Sequence, residues 1–230
     1  MVIKFGKTLL MASLILLAGR SASADTIQST LSVGNAGLSG YAGPYATLTI
    51  DLTSSTTATI TFQTDPGFLM HGQNAAGVDI NATSWSISNL TGTVPTGFSG
   101  PSLSTAPAGN EDGFGSFNQT FSEFDGYQYA LLTLSFTVTD TSGTWANAAS
   151  VLTKNGSGYD AAAAIGVCST TPCTPSGSGG SFLTTGFAAD PGGTFVPTPE
   201  PSSLLLLGSG ILGAAGLFHR RMTGAIAGRS

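Results

Sequence analysis

Residues 131–140 read LLTLSFTVTD, and their alternation decides the fold. Leu132, Leu134, Phe136 and Val138 fall on one side of an extended chain, while Thr133, Ser135, Thr137 and Thr139 fall on the other. Successive side chains of a strand point to opposite faces, so the pattern predicts a strand with one apolar and one wet face. The same period appears upstream. Ala46, Leu48, Ile50 and Leu52 share one face, Ala58, Ile60 and Phe62 share another, and Thr53, Ser54 and Ser55 between them predict the turn of a hairpin. Shorter strands are expected around Trp85 and Ile87, Phe117 and Phe121, Ile165 and Val167, and Phe182. Turn signals such as Asp65-Pro66-Gly67, Glu111-Asp112-Gly113 and Lys154-Asn155-Gly156 lie between them. Many short strands with polar turns and no long amphipathic helix predict an all-β fold, an antiparallel β-sandwich of jelly-roll type. No fixed-period repeat is visible, which weighs against a solenoid or propeller. Residues 160–164 are expected to form a helical turn, 172–180 a loop, and 190–201 a Pro-rich linker, which leaves 25–189 as the sandwich body.

Charge narrows the partners. The basic residues are Lys4, Lys7, Arg20, Lys154, Arg220, Arg221 and Arg229, so between residues 25 and 201 one lysine faces all twelve carboxylates of the chain. Affinity for phosphate backbones comes from lysine and arginine displacing counterions, so nucleic acid is excluded as a partner. Divalent cations, neutral carbohydrates and basic partners remain. Twenty Phe, Tyr and Trp residues supply enough apolar volume for a core, which argues against disorder despite the low charge. The two cysteines, Cys168 and Cys173, are read as one local disulfide closing a turn, with free thiols as the alternative. A zinc site would need a second ligand pair, and the sequence has no other cysteine.

Both ends carry processing signals. Lys4 and Lys7 precede an apolar run over 8–19, followed by Ala22-Ser23-Ala24, which is the order of a secretory signal peptide of residues 1–24 cut between Ala24 and Asp25. The Sec machinery is the partner this implies. At the other end, residues 202–218 form an uncharged run of transmembrane character ahead of His219, Arg220 and Arg221. Positive charge after an apolar helix stays cytoplasmic, which assigns 219–230 to a basic inner tail and the body to the outside. Gly208, Gly210, Gly213 and Gly216 make the run weakly hydrophobic, which suits temporary retention. Directly upstream, Pro199-Glu200-Pro201 keeps the chain extended and accessible to a processing enzyme.

The order Pro199-Glu200-Pro201, apolar helix, Arg220-Arg221 resembles the tail of PEP-CTERM proteins. That resemblance implies recognition by a membrane-embedded exosortase and export to the outer surface or the extracellular matrix. It also implies a host that makes exopolysaccharide and biofilm. The same tail is also catalogued as an ice-binding-protein C-terminal domain. Nine residues, 222–230, follow the arginines, a departure from family tails that stop soon after them. From Phe114 to Ala164 the body is similar to cargo regions of acidobacterial PEP-CTERM proteins, a likeness that implies no activity.

The body offers little catalytic material. His71 is its one histidine, no G-x-S-x-G elbow is present, and a loop histidine of this kind reads as a turn residue. Glu111 beside Asp112, and Glu123 near Asp125, are the only acid pairs for glycoside chemistry. These acids are better suited to calcium, with Asn110, Glu111, Asp112 and Asp125 as candidate oxygen ligands of a structural Ca²⁺; no other cofactor is expected. Trp85, Trp145, Tyr127 and Tyr129 are candidates for stacking on sugar rings, set against the plainer reading of core or rim aromatics. The Thr-x-Thr pairs at Thr47 and Thr49, Thr59 and Thr61, and Thr137 and Thr139 would line one sheet face, a short array for matching ice. The expectation is therefore a non-enzymatic surface or matrix protein with a structural or adhesive role. The rivals are a carbohydrate-binding module, calcium-dependent or not, and a glycoside-active enzyme.

Overall fold

The computed structural model describes residues 25–71, 74–122, 126, 128–174, 182–191 and 196–197. The expected signal peptide, transmembrane helix and basic tail lie outside these residues. In chain order the strands are β1 (Asp25–Leu31), β2 (Val33–Gly34), β3 (Ala46–Ser54), β4 (Thr57–Thr64) and β5 (Phe68–Met70). There follow β6 (Ala76–Val78), β7 (Trp85–Thr93), β8 (Ser104–Ala106), β9 (Gly109–Glu111) and β10 (Gly115–Phe117). The last are β11 (Gln119–Ser122), β12 (Thr133–Asp140), β13 (Ala161–Cys168), β14 (Phe182–Ala189) and β15 (Val196–Pro197). One sheet runs β15-β1-β3-β4-β12-β7; the other runs β2-β14-β13-β6-β11-β8 with β5 also on β13; and β9 and β10 form a separate hairpin. All these pairings are antiparallel, so the fold is the all-β sandwich that the alternation predicts.

The six-stranded sheet follows its sequence pattern closely. In β3, β4 and β12 every second residue is buried, and Leu48, Ile50, Ile60, Phe62, Leu134 and Phe136 have no exposed surface. Their inner faces meet Phe121, Ala163, Ile165 and Val167 of the opposite sheet in the main core. The rings of Phe121 and Phe136 lie 4.1 Å apart across it. Full burial of such a side chain contributes roughly 1.5–3 kcal/mol, so these few phenylalanines bind the two sheets together. The β3–β4 hairpin closes through Ser55 and Thr56, after a register shift at Leu52/Ser54. At the sheet edge, Asn89 of β7 has φ 52° and adds one residue to the strand, so Ile87 and Leu90 both pack against the core while Ser88 and Thr91 both face water. Asparagine tolerates that left-handed backbone better than most residues.

Two expectations fail here. Residues 160–164 form no helical turn: Ala161 begins β13, whose eight residues are all buried. Alanine favours helix, but the strand pairs along β14 on one edge and along β5 and β6 on the other, so tertiary pairing overrides local preference. The stretch 190–201 is not wholly a linker. Asp190 is fully buried, and Val196–Pro197 adds a short strand to the edge of β1, opposite Gln28 and Ile27. An edge suits a proline, which has no N–H to give to a further strand.

Candidate functional site

Strand registers place the polar halves of the alternating strands in rows across the outer face of the six-stranded sheet. One row runs Thr26, Asp51, Thr59, Thr137, Ser88. The next runs Gln28, Thr49, Thr61, Ser135, Thr91. A third runs Thr30, Thr47, Gln63, Thr133, Thr93. Neighbours stand about 4.8 Å apart across strands and about 6.7 Å apart along them. The β-branched threonines that make good strands thus also make a two-dimensional hydroxyl array.

Hydrogen bonds within the rows hold this array. Thr26 donates to Asp51 Oδ1 at 3.1 Å, and Gln28 Nε2 donates to Thr49 Oγ1 at 3.2 Å. Thr61 and Ser135 share a hydroxyl pair at 2.9 Å, and Thr133 donates to Thr93 at 2.7 Å. Asn89 Nδ2 donates to Thr137 Oγ1 at 3.2 Å from the bulge. Asp51 is the only charge among the fifteen row positions.

Of the aromatic candidates for sugar stacking, the described ones are turned partly or wholly into the protein. Trp145 is 3% exposed, sits in the main core and donates its indole N–H to the Asn81 carbonyl at 2.8 Å. Trp85 is half-buried and donates to Gln119 Oε1 at 3.1 Å, packing against the same core. Tyr129 is half-buried, and its carbonyl pairs with His71 Nδ1 at 2.9 Å; Tyr127 lies outside the described residues. His71 is itself buried, its ring 4.8 Å from that of Phe182. Since a carbonyl only accepts, Nδ1 carries the proton of this bond, and the ring acts as packing.

The proposed calcium turn divides between interior and surface. Asn110 and Asp112 are exposed, and Asp112 Oδ2 accepts from Asn35 Nδ2 at 3.1 Å. Glu111 points inward, fully buried, and neither carboxyl oxygen has a hydrogen-bond partner among the described residues. Alternation along β9 turns Asn110 outward and Glu111 inward, so these adjacent residues cannot direct both side chains to one ion. Burial pushes the Glu111 carboxyl up to about 8, so it is protonated at neutral pH. Asp125, like Glu123, lies outside the described residues. Among the described residues no group of three or more His, Cys, Asp or Glu is placed to hold a metal ion.

Other acids serve the backbone. Asp25 Oδ2 accepts from the Ala148 N–H at 2.6 Å. Asp140 Oδ1 accepts from the N–H groups of Ser142 and Gly143, both at 2.8 Å, and these bonds hold its carboxyl below the usual range. Sequence reasoning missed the buried pair Asp160 and Asp190, joined where Asp190 Oδ1 accepts the Asp160 N–H at 3.1 Å. Burial first, then the neighbouring charges of Asp190 and Asp79, push Asp160 up to about 6, against the pull of Lys154. The separation of thirty positions along the chain hides the pair from any local pattern. Cys168 and Cys173 are joined in a disulfide, with Cα atoms 5.3 Å apart.

The sorting residues Pro199, Glu200, Pro201, Arg220 and Arg221, and the cleavage residues Ala22 and Ala24, lie outside the described residues. Sequence comparison covers the first group. No curated protein and no solved structure matches the chain. Residues 197–221 match the PEP-CTERM protein-sorting motif. The chain is therefore a PEP-CTERM sorting domain-containing protein, exported and transiently anchored by the tail that an exosortase processes.

Proposed function

We propose that the body acts outside the cell as a non-enzymatic structural or adhesive protein, held at the outer surface or released into the extracellular matrix. The observation that carries this reading is the ordered face of hydroxyls and amides across five strands, on a protein whose tail directs it to export. A surface of that kind suits broad, repeated contact rather than enclosure of one small substrate. Among the described residues, three side chains with catalytic potential have structural uses: His71 is packed under Phe182, and Asp25 and Asp140 hold backbone N–H groups. Glu111 and Asp112, one of the two acid pairs considered for glycoside hydrolysis, face opposite environments, one closed to water and one open, while Glu123 and Asp125 lie outside the described residues. Hydrolysis needs two carboxyls flanking one sugar bond.

Deletion of the gene in the host tests this reading, with attached biomass and biofilm measured beside a complemented strain. Loss of attachment that returns on complementation is expected. Unchanged attachment, with the protein demonstrably expressed in the parent, removes the adhesive role.

A further inference from the structure

We infer that the outer face of the six-stranded sheet is a binding surface for a neutral, hydroxyl-rich polysaccharide chain. This rests on the adhesive reading and names its partner. Charge makes the first selection. With Asp51 as the one carboxylate and no lysine or arginine in the three rows, the face offers no cation to the phosphates or carboxylates of an anionic polymer. Of the nine carboxylates among the described residues, one stands in these rows, which makes this a near-neutral face of an acidic protein. The rows also contain no aromatic or aliphatic side chain, so a protein partner finds no apolar anchor.

What the face does offer is the chemistry of a sugar hydroxyl. Each threonine or serine has one donor and two acceptor sites, so a hydroxyl already paired across strands still accepts from outside. The pairs Thr61–Ser135 and Thr133–Thr93 fix rotamers before any ligand arrives. That order avoids part of the entropy lost when polar side chains are immobilised on binding. Shape makes the last selection. Adjacent strands rotate by about 20–25°, so the five strands of the array turn through roughly 80–100°. A rigid crystal plane cannot follow such a surface, whereas a polymer with rotatable glycosidic links can. The geometry therefore favours a chain over ice.

Affinity electrophoresis of the protein recovered from its host, through gels containing dextran or hydroxyethyl cellulose, tests the inference. Retardation in at least one gel is expected. The triple variant Thr49→Val, Thr61→Val, Ser135→Ala removes three hydroxyls from the middle row and should weaken the apparent affinity by about tenfold. Thr105→Val, on exposed β8 of the other sheet, should leave it unchanged, and matching thermal melts would show both variants folded. No retardation in either glucan overturns the inference, as does undiminished retardation of the folded triple variant. Thermal hysteresis of freezing that the triple variant loses, without glucan binding, would assign the face to ice and overturn it too. Attachment lost on gene deletion without glucan binding would sink this inference and leave the adhesive reading standing; glucan binding with attachment unchanged would do the reverse.

Discussion

The two sheets of the sandwich share a backbone geometry and differ in what covers them. The six-stranded sheet meets the core on one side and is wet on the other, so β3, β4 and β12 alternate strictly. The other sheet is covered on both sides along β13, where all eight residues from Ala161 to Cys168 are buried. Its outer face carries two small apolar clusters. One gathers Leu69, Ala130, Cys168 and Phe182; the other gathers Phe114, Phe117, Ala162 and Ala189. To let those loops and the β9–β10 hairpin lie close, the strands beneath use alanine and glycine. A Cβ on Gly77 would stand 3.0 Å from the Phe117 ring and 3.1 Å from Glu111 Oε1. One sheet thus spends its outer face on display and the other on a second layer of packing.

The sharpest way to break the comparison is to place the same charge on each sheet. Ala163→Asp buries an unpaired carboxylate in the main core and should cost more than about 4 kcal/mol, enough to prevent recovery of folded protein. Thr61→Asp, on the wet face, should stay within about 1 kcal/mol of wild type in urea unfolding. Equal losses would mean that the outer face of the six-stranded sheet is covered after all.

Glu111 gives the next effect, since it is a carboxyl held under the second layer. Its folded value near 8 stands above the ordinary 4.5, so the folded state binds the proton more tightly than the unfolded chain. The sign follows: this stabilisation is complete below about 4.5 and is lost as the pH rises to about 8. The loss is at most about 4 kcal/mol across that window. Asp160, raised to about 6, contributes in the same sense at the lower end, so the slope between pH 7 and 8 is the part that reports Glu111. Urea midpoints measured over that interval should fall for wild type and stay level for Glu111→Gln. A wild-type slope of zero would place Glu111 in contact with water or a cation.

This contrast also explains what could be read from the sequence. LLTLSFTVTD shows its two faces because one is wet, and hydropathy records the difference. AAAAIGVC shows none, because both faces are dry and the residues are small; Ile165 and Val167 still marked a strand, but the alanines before them offered only a local preference for helix. Trp145 looked available to a sugar because sequence cannot show that residues 78 to 82 and 145 to 152 fold together; Asn81, which receives its indole N–H, lies 64 positions away. The Thr-x-Thr pairs were visible, but their assembly into rows depends on registers between strands as distant as β4 and β12. The sorting tail was fully legible because a linear signal is recognised as sequence, with no fold between residues and recognition.

The smallest effect probes how tightly the second layer is fitted. A Cβ on Gly166 would lie 2.5 Å from Cδ1 and 2.6 Å from Cε1 of Phe182, whose ring packs in turn against His71 and Phe98. Gly166→Ala must push that ring outward, and overpacking of this kind costs about 1–3 kcal/mol. Phe182→Leu alone removes ring contacts and destabilises through lost burial. Together, the shorter side chain makes room for the added methyl, so the double variant should be more stable than the sum of the two losses predicts, by about 1 kcal/mol in a double-mutant cycle of urea unfolding. Additive losses would mean that the ring moves aside freely. The outer layer would then be a loose cover, and the small residues of β13 would owe their size to pairing within the sheet alone.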